Sequence, residues 1–125
     1  MEGDIIHRYG RREAIAEGVL IDAGDIAKEA GFVWPVAITS RLYHGYLQPS
    51  PELEAWGQSY EGRLWDLLNV LRWAIRQSKN DTFIRFSVLF VLSPGTAAVP
   101  IELISIAGPD DEGAPSITVL LPNED

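Results

Sequence analysis

Residues 62–92 read GRLWDLLNVLRWAIRQSKNDTFIRFSVLFVL, and within this stretch the spacing of apolar residues changes from that of a helix to that of a strand. In the first part they recur at intervals of three and four residues, which places them on one face of an α-helix. From Ile84 to Leu92 every second residue is a large apolar one, as in a strand with one buried face. The stretch therefore predicts a long amphipathic helix over residues 62–78 followed by a β-strand.

The residues after this strand predict the rest of a small sheet. Two further strands are predicted over residues 99–106 and 117–121, and the loop over residues 108–113 connects them. Strands that follow one another with short connections usually pair with each other, so we expect an antiparallel β-meander. The predicted fold class is α+β, with helices packed on one face of a small antiparallel meander sheet in a single domain over residues 1–125.

The residues before the long helix predict shorter elements. Helices are predicted over residues 11–17, 26–30 and 39–46, the first two ended by glycines. Val19 to Ile21 predicts a short strand that can join the sheet. Residues 51–60 are expected to form a connection that buries Trp56.

Composition narrows the class of protein. The chain of 125 residues has no cysteine, which excludes disulfides, thiolate zinc sites and cysteine nucleophiles. The longest apolar run, Val88 to Leu92, is too short to cross a membrane, and the acidic start of the chain does not resemble a signal peptide. We therefore expect a cytoplasmic protein without a membrane segment.

Charge is distributed unevenly along this chain of net charge −8. From Phe86 to the last residue there is no Lys or Arg, whereas the acidic residues there are Glu102, Asp110, Asp111, Glu112, Glu124 and Asp125. A region that carries acids and no bases attracts cations and repels phosphate. The sequence therefore predicts a basic protein partner and no direct binding of nucleic acid. The alternative is that Arg72, Arg76 or Arg85 folds over these acids and pairs with them.

If the acids are free, replacing Asp110, Asp111 and Glu112 with their amides is expected to slow association more than it changes stability. A second candidate surface lies on the long helix, where Trp65, Arg72 and Trp73 fall opposite the apolar face. Trp and Arg dominate the energetics of protein interfaces. The competing expectation, which we favour for a small domain, is that a neighbouring segment covers the tryptophans.

No pattern in the chain indicates catalysis, a metal or a cofactor. His7 and His44 are far apart, and neither has a ligand-type neighbour at metal-binding spacing. Asp22 and Asp25 flank the start of a predicted helix, where capping explains them. A weaker hypothesis is a small hydrolase that uses Asp22, Asp25 or Asp66. We expect a protein that is not an enzyme.

Several stretches resemble a family of small proteins of unknown function carried on bacterial plasmids, phages and other mobile elements. The matching residues are Tyr9, Arg11, Ala14, Gly18-Val19-Leu20, Asp22, Glu29-Ala30-Gly31-Phe32, Pro35-Val36-Ala37, Thr39, Gly62-Arg63-Leu64-Trp65-Asp66, Gly108-Pro109-Asp110, Leu121-Pro122 and Glu124-Asp125. The resemblance covers nearly the whole chain.

The resemblance implies a function by association. Small acidic proteins of mobile elements are often similar to anti-CRISPR or anti-restriction inhibitors. The expected function is therefore that of a mobile-element inhibitor that binds a CRISPR effector or a similar nucleic-acid-handling complex and blocks its basic DNA-binding surface. The alternative is a plasmid maintenance or conjugation accessory protein without inhibitory activity.

Overall fold

A five-stranded sheet with one long helix on its face organises the computed structural model, which describes residues 10–79 and 81–124. The helices are α1 (Arg11–Ala16), α2 (Gly24–Glu29), α3 (Ser40–Leu42), α4 (Pro51–Ala55) and α5 (Tyr60–Gln77). The strands are β1 (Leu20–Asp22), β2 (Val36–Thr39), β3 (Phe83–Phe90), β4 (Val99–Pro109) and β5 (Pro115–Leu120). A π-helical turn, Tyr43–Leu47, continues α3, and a 3₁₀ turn, Pro122–Glu124, follows β5.

The two elements predicted from residues 62–92 are confirmed as α5 and β3. Ser59 caps α5 by accepting a hydrogen bond of 3.0 Å from the backbone N–H of Gly62. The apolar face of α5 is fully buried against the sheet, and the alternate residues of β3 point into the same core. The residues buried between them are Leu64, Leu67, Leu68, Leu71, Phe86, Val88 and Phe90.

The sheet has the strand order β1-β2-β5-β4-β3. The predicted meander β3-β4-β5 is antiparallel throughout, and the short strand β1 joins the sheet as expected. The α+β class is therefore confirmed. The sheet is mixed rather than wholly antiparallel, because β2 pairs parallel to β5 with Val36 opposite Ile117.

Strand β2 was missed from the sequence because its four residues are all buried and show no alternation of apolar and polar side chains. Val36 and Ile38 face the main core under α5, whereas Ala37 packs against Ala14 of α1 in a second, smaller cluster. Helix α1 thus covers the opposite face of the sheet at this corner. The expectation that helices occupy one face holds for α5 but not for α1.

The segment before α5 also differs from its prediction. Ser50 accepts a hydrogen bond of 3.3 Å from the backbone N–H of Leu53, and this cap begins helix α4 where a connection was expected. The segment buries Leu53 and leaves Trp56 68% exposed. The smaller side chain of Leu53 fills the core position, so the indole of Trp56 remains at the surface.

Arg63 is the one charged residue buried among the described residues, with 5% of its surface exposed. Its guanidinium donates to the carbonyl oxygens of Tyr46 at 2.7 Å and Val91 at 2.6 Å, and to Gln58 Oε1 at 3.3 Å. It also lies 5.7 Å from the centre of the Phe90 ring. Burial lowers the pKa of this guanidinium. Arg63 thereby joins the first turns of α5 to the π-helical turn and to the end of β3.

Replacing Arg63 with Met should lower the free energy of unfolding by about 3 kcal/mol, because two backbone carbonyls lose a charged donor. Denaturant titration followed by tryptophan fluorescence measures this change. The matched control is Arg76→Met on the exposed side of the same helix, expected to change stability by less than about 0.5 kcal/mol. Equal effects of the two variants would contradict the assigned role of Arg63.

Candidate partner-binding surfaces

The acidic loop between β4 and β5 is held by the start of α1. Asp111 accepts hydrogen bonds from the backbone N–H groups of Arg11 at 2.6 Å and Arg12 at 3.0 Å. Glu112 forms an ion pair of 2.8 Å with the guanidinium of Arg12. The carboxylate of Asp111 thus caps a helix that lies 100 residues earlier in the chain.

The side chain of Arg11 fixes α1 against β5. Its guanidinium donates to Thr118 Oγ1 at 2.8 Å and to the carbonyl oxygen of Ile117 at 2.7 Å. Partial burial lowers the pKa of Arg11, and the neighbouring Asp22, Asp110 and Asp111 oppose this change. Arg11 and Asp111 therefore form one contact region between the two ends of the described chain.

The remaining C-terminal acids also have intramolecular partners. Asp110 accepts hydrogen bonds of 2.9 Å from the backbone N–H groups of Glu112 and Ala114, which shapes the loop. Glu124 accepts hydrogen bonds from Thr39 Oγ1 at 2.7 Å and from the N–H of Leu121 at 2.9 Å, and Glu102 forms an ion pair with Arg85 at 3.0 Å. Asp125 lies outside the described residues.

These contacts overturn the premise that the C-terminal acids have no local cation. Arg85 pairs with one of them, as the alternative proposed, but Arg11 and Arg12 hold the loop and were not foreseen. No signal in the sequence links residues 100 positions apart. Asp110 and Asp111 also hold backbone N–H groups, so we expect the triple amide variant to lower stability as well, and its effect on association stays a prediction. Their role in partner binding stays a prediction.

The tryptophans occupy the surface rather than the core. The exposed fractions are 45% for Trp34, 68% for Trp56, 42% for Trp65 and 63% for Trp73. The expectation that a neighbouring segment covers Trp65 and Trp73 is therefore wrong. The core under α5 is filled by leucines and by the phenylalanines of β3, so no indole is needed there.

Arg72, the third residue of the predicted helix surface, lies across the end of α2. A Cβ atom added to Gly31 would lie 2.8 Å from the guanidinium carbon of Arg72. Gly31 also has a positive φ of 99°, so both its conformation and this contact favour glycine. Arg72 thus contacts α2, while Trp65 and Trp73 extend into solvent.

Residues 52–66, which include α4 and the first turns of α5, carry a run of exposed acidic and tryptophan side chains that we call the acidic end. These side chains are Glu52, Glu54, Trp56, Glu61, Trp65 and Asp66. Its four carboxylates form no ion pair with another described residue. In contrast to the C-terminal loop, the acidic end leaves both its charge and its tryptophans available to a partner.

The candidate catalytic residues Asp22, Asp25 and Asp66 are all exposed and lie on β1, α2 and α5. Asp22 Oδ1 accepts a hydrogen bond of 2.9 Å from the N–H of Gly24, the first residue of α2, although the N-cap position itself is occupied by Ala23. A groove of about 430 Å³ lies between α1 and the 3₁₀ turn, with Ser40, Arg41 and Glu124 in its lining. Asp22, Asp25 and Asp66 do not line it.

The described residues offer neither a metal-binding cluster nor a membrane-spanning helix. They contain no group of three or more His, Asp or Glu residues placed to hold a metal ion. None of the helices over residues 10–79 and 81–124 is long and apolar enough to cross a membrane.

The model of a family of unknown function, DUF6573, matches residues 1–125, and the chain belongs to this family. No curated protein and no solved structure matches it. Membership in a family of unknown function confirms that part of the resemblance noted from the sequence. The association with mobile elements stays a prediction.

The Asp111 cap predicts a dependence of stability on pH. The N–H of Arg12, followed by that of Arg11, lowers the pKa of the Asp111 carboxyl below its ordinary value of 3.8. Since this pKa is lower in the folded than in the unfolded chain, the carboxylate stabilises the fold above pH 3.8 and loses this effect as the pH falls through the folded value. Asp111→Asn should therefore lower the unfolding midpoint at neutral pH, and the difference from the unmodified protein should shrink below pH 3.8.

Thermal unfolding of both proteins at neutral pH and below pH 3.8 measures this difference in unfolding midpoint. Glu112→Gln is the matched control, because it removes an exposed ion pair without removing a backbone cap. A difference between Asp111→Asn and the unmodified protein that stays constant with pH would contradict the assigned role of the carboxylate.

Proposed function

We propose that this member of the family acts by binding another protein, as a mobile-element-encoded inhibitor that blocks a basic DNA-binding surface of a host defence complex. The observation that supports a binding function is the exposure of every tryptophan in a domain whose core is built from smaller side chains. Tryptophan is usually mostly buried, and exposed indoles are among the side chains that contribute most to protein interfaces. The proposed activity is binding rather than catalysis.

The acidic end is the surface that best fits a basic partner. Trp56 and Trp65 supply apolar area, and the surrounding carboxylates supply charge that is not neutralised by a described cation. An interface of this kind combines aromatic anchors at its centre with charges that guide the approach of the partner. We therefore assign the first contact with a basic surface to the acidic end rather than to the C-terminal loop.

The net charge of −8 also favours a protein partner over nucleic acid. Phosphate groups are repelled by such a chain, whereas a CRISPR effector presents a positively charged channel to its DNA. An anti-CRISPR-like protein of this type would compete with DNA for the channel. The charge of the acidic end supports this hypothesis without identifying the effector.

A capture experiment from the native host tests the proposal. The tagged protein is expected to retain a nucleic-acid-handling complex, and the retained amount should fall by about tenfold or more in the double variant Trp56→Ala, Trp65→Ala, because each anchor contributes over about 1 kcal/mol. Raising the salt concentration should weaken capture, since exposed charges are screened.

Trp34→Ala is the matched control, because this tryptophan has similar exposure to Trp65 but lines a separate cavity, together with Ile75 and Ile84, near the end of α5. Circular dichroism and thermal unfolding establish that each variant is folded. Capture of a replication or conjugation protein in place of a defence complex would support the accessory role instead. Equal capture by the double variant and the control would exclude the acidic end as the binding surface.

A further inference from the structure

Strand β3 forms one edge of the sheet, and its outer side has no neighbouring strand among the described residues. It is eight residues long, whereas β1 at the opposite edge has three. An edge strand presents backbone N–H and C=O groups that can pair with another extended chain. A long and regular edge is therefore a place where a partner strand can be added.

The usual means of protecting an edge are missing from β3. It contains no proline, and its pairing with β4 continues without a bulge from Phe83 opposite Ile106 to Phe90 opposite Val99. Arg85, its only charged residue, is paired with Glu102 on β4. The charge of Arg85 is thus directed toward the sheet rather than being left to repel a strand at the edge.

Side chains beside the edge offer apolar contacts. Phe83 and Leu89 lie on the face of β3 turned away from α5 and are 40% and 65% exposed. On the side of α5, Trp73 and Ile84 line a groove of about 340 Å³ between the last turns of α5 and the beginning of β3. An added strand can therefore place alternate side chains against both groups.

The charge near this edge is opposite to that of the whole protein. Between residues 73 and 85 the chain carries Arg76, Lys79 and Arg85 but only one acid, Asp81, although the net charge of the chain is −8. A second copy paired antiparallel through its own β3 would bring no acid to these cations, because β3 contains none. An acidic chain would meet a complementary field.

We propose that the β3 edge binds an extended acidic segment of a partner protein as a sixth strand of the sheet. This surface is distinct from the acidic end of α4 and α5 and has the opposite charge. The backbone of the segment pairs with β3. Its apolar residues contact Phe83 and Leu89 on the outer face, and its carboxylates, on the alternate positions, face Trp73 and the cations at the end of α5. Binding at this edge does not depend on the proposed inhibitory function.

The test uses the full chain and a synthetic peptide of eight residues, the length of β3, with alternating Glu and Val and blocked ends. The expected result is slower backbone amide exchange at β3 when the peptide is present, measured by NMR, together with saturable binding. A peptide with Lys in place of Glu is expected not to bind. Because exchange is measured on the unmodified protein, this result does not depend on the folding of a variant.

A charge-reversal variant, Arg76→Glu with Lys79→Glu, should weaken binding of the acidic peptide by about tenfold. The control is Arg41→Glu, which reverses an exposed charge in the groove beside α1. It is expected to have a much smaller effect on binding of the acidic peptide. Unchanged exchange at β3 with the acidic peptide would overturn the proposal, and so would equal binding of the Lys peptide. A dimer that protects the same amides without peptide would assign the edge to a second copy instead.

Discussion

The parallel pairing of β2 with β5 is the constraint on which the rest of the structure depends. It joins residues 36–38 to residues 117–119 and inserts the early part of the chain beside the last strand. Parallel strands need a long connection, and here that connection contains α3, α4, α5 and the first two strands of the meander. With β5 occupied on both sides, β3 becomes the outer strand of the sheet, and its edge is left without a partner strand among the described residues.

The same pairing decides the electrostatics of the molecule. Because β1 and β2 lie beside β5, helix α1 packs over that corner, and Arg11 reaches Ile117 and Thr118. The acidic loop then lies at the start of α1, where Asp111 meets unpaired backbone N–H groups. A carboxylate at the start of a helix is favourable even for a short helix packed on a sheet. The sequence shows an excess of acids near its C-terminal end, and in the fold one of them, Asp111, stabilises the start of α1.

Helix α5 separates the two surfaces that remain for partners. Its buried leucines and the contacts of Arg63 fix its position on the sheet, so the residues on its outer side have defined places. Carboxylates and two tryptophans gather near its beginning, and arginines with Trp73 lie toward its end. Negative charge near the first turn and positive charge near the last also suit the helix dipole. One element thus presents regions of opposite charge at its two ends.

Residues 62–92 by themselves determined the long helix, the strand after it and the α+β class, because the period of apolar residues is a local property. The meander followed from short connections between consecutive strands. Strand β2 was not predictable, since four buried residues show no period of their own. For the candidate sites, the sequence located the acids and the tryptophans but not their surroundings. Only the tertiary structure decided that Asp111 caps α1 and that Trp65 is exposed, because both depend on which distant segments pack together.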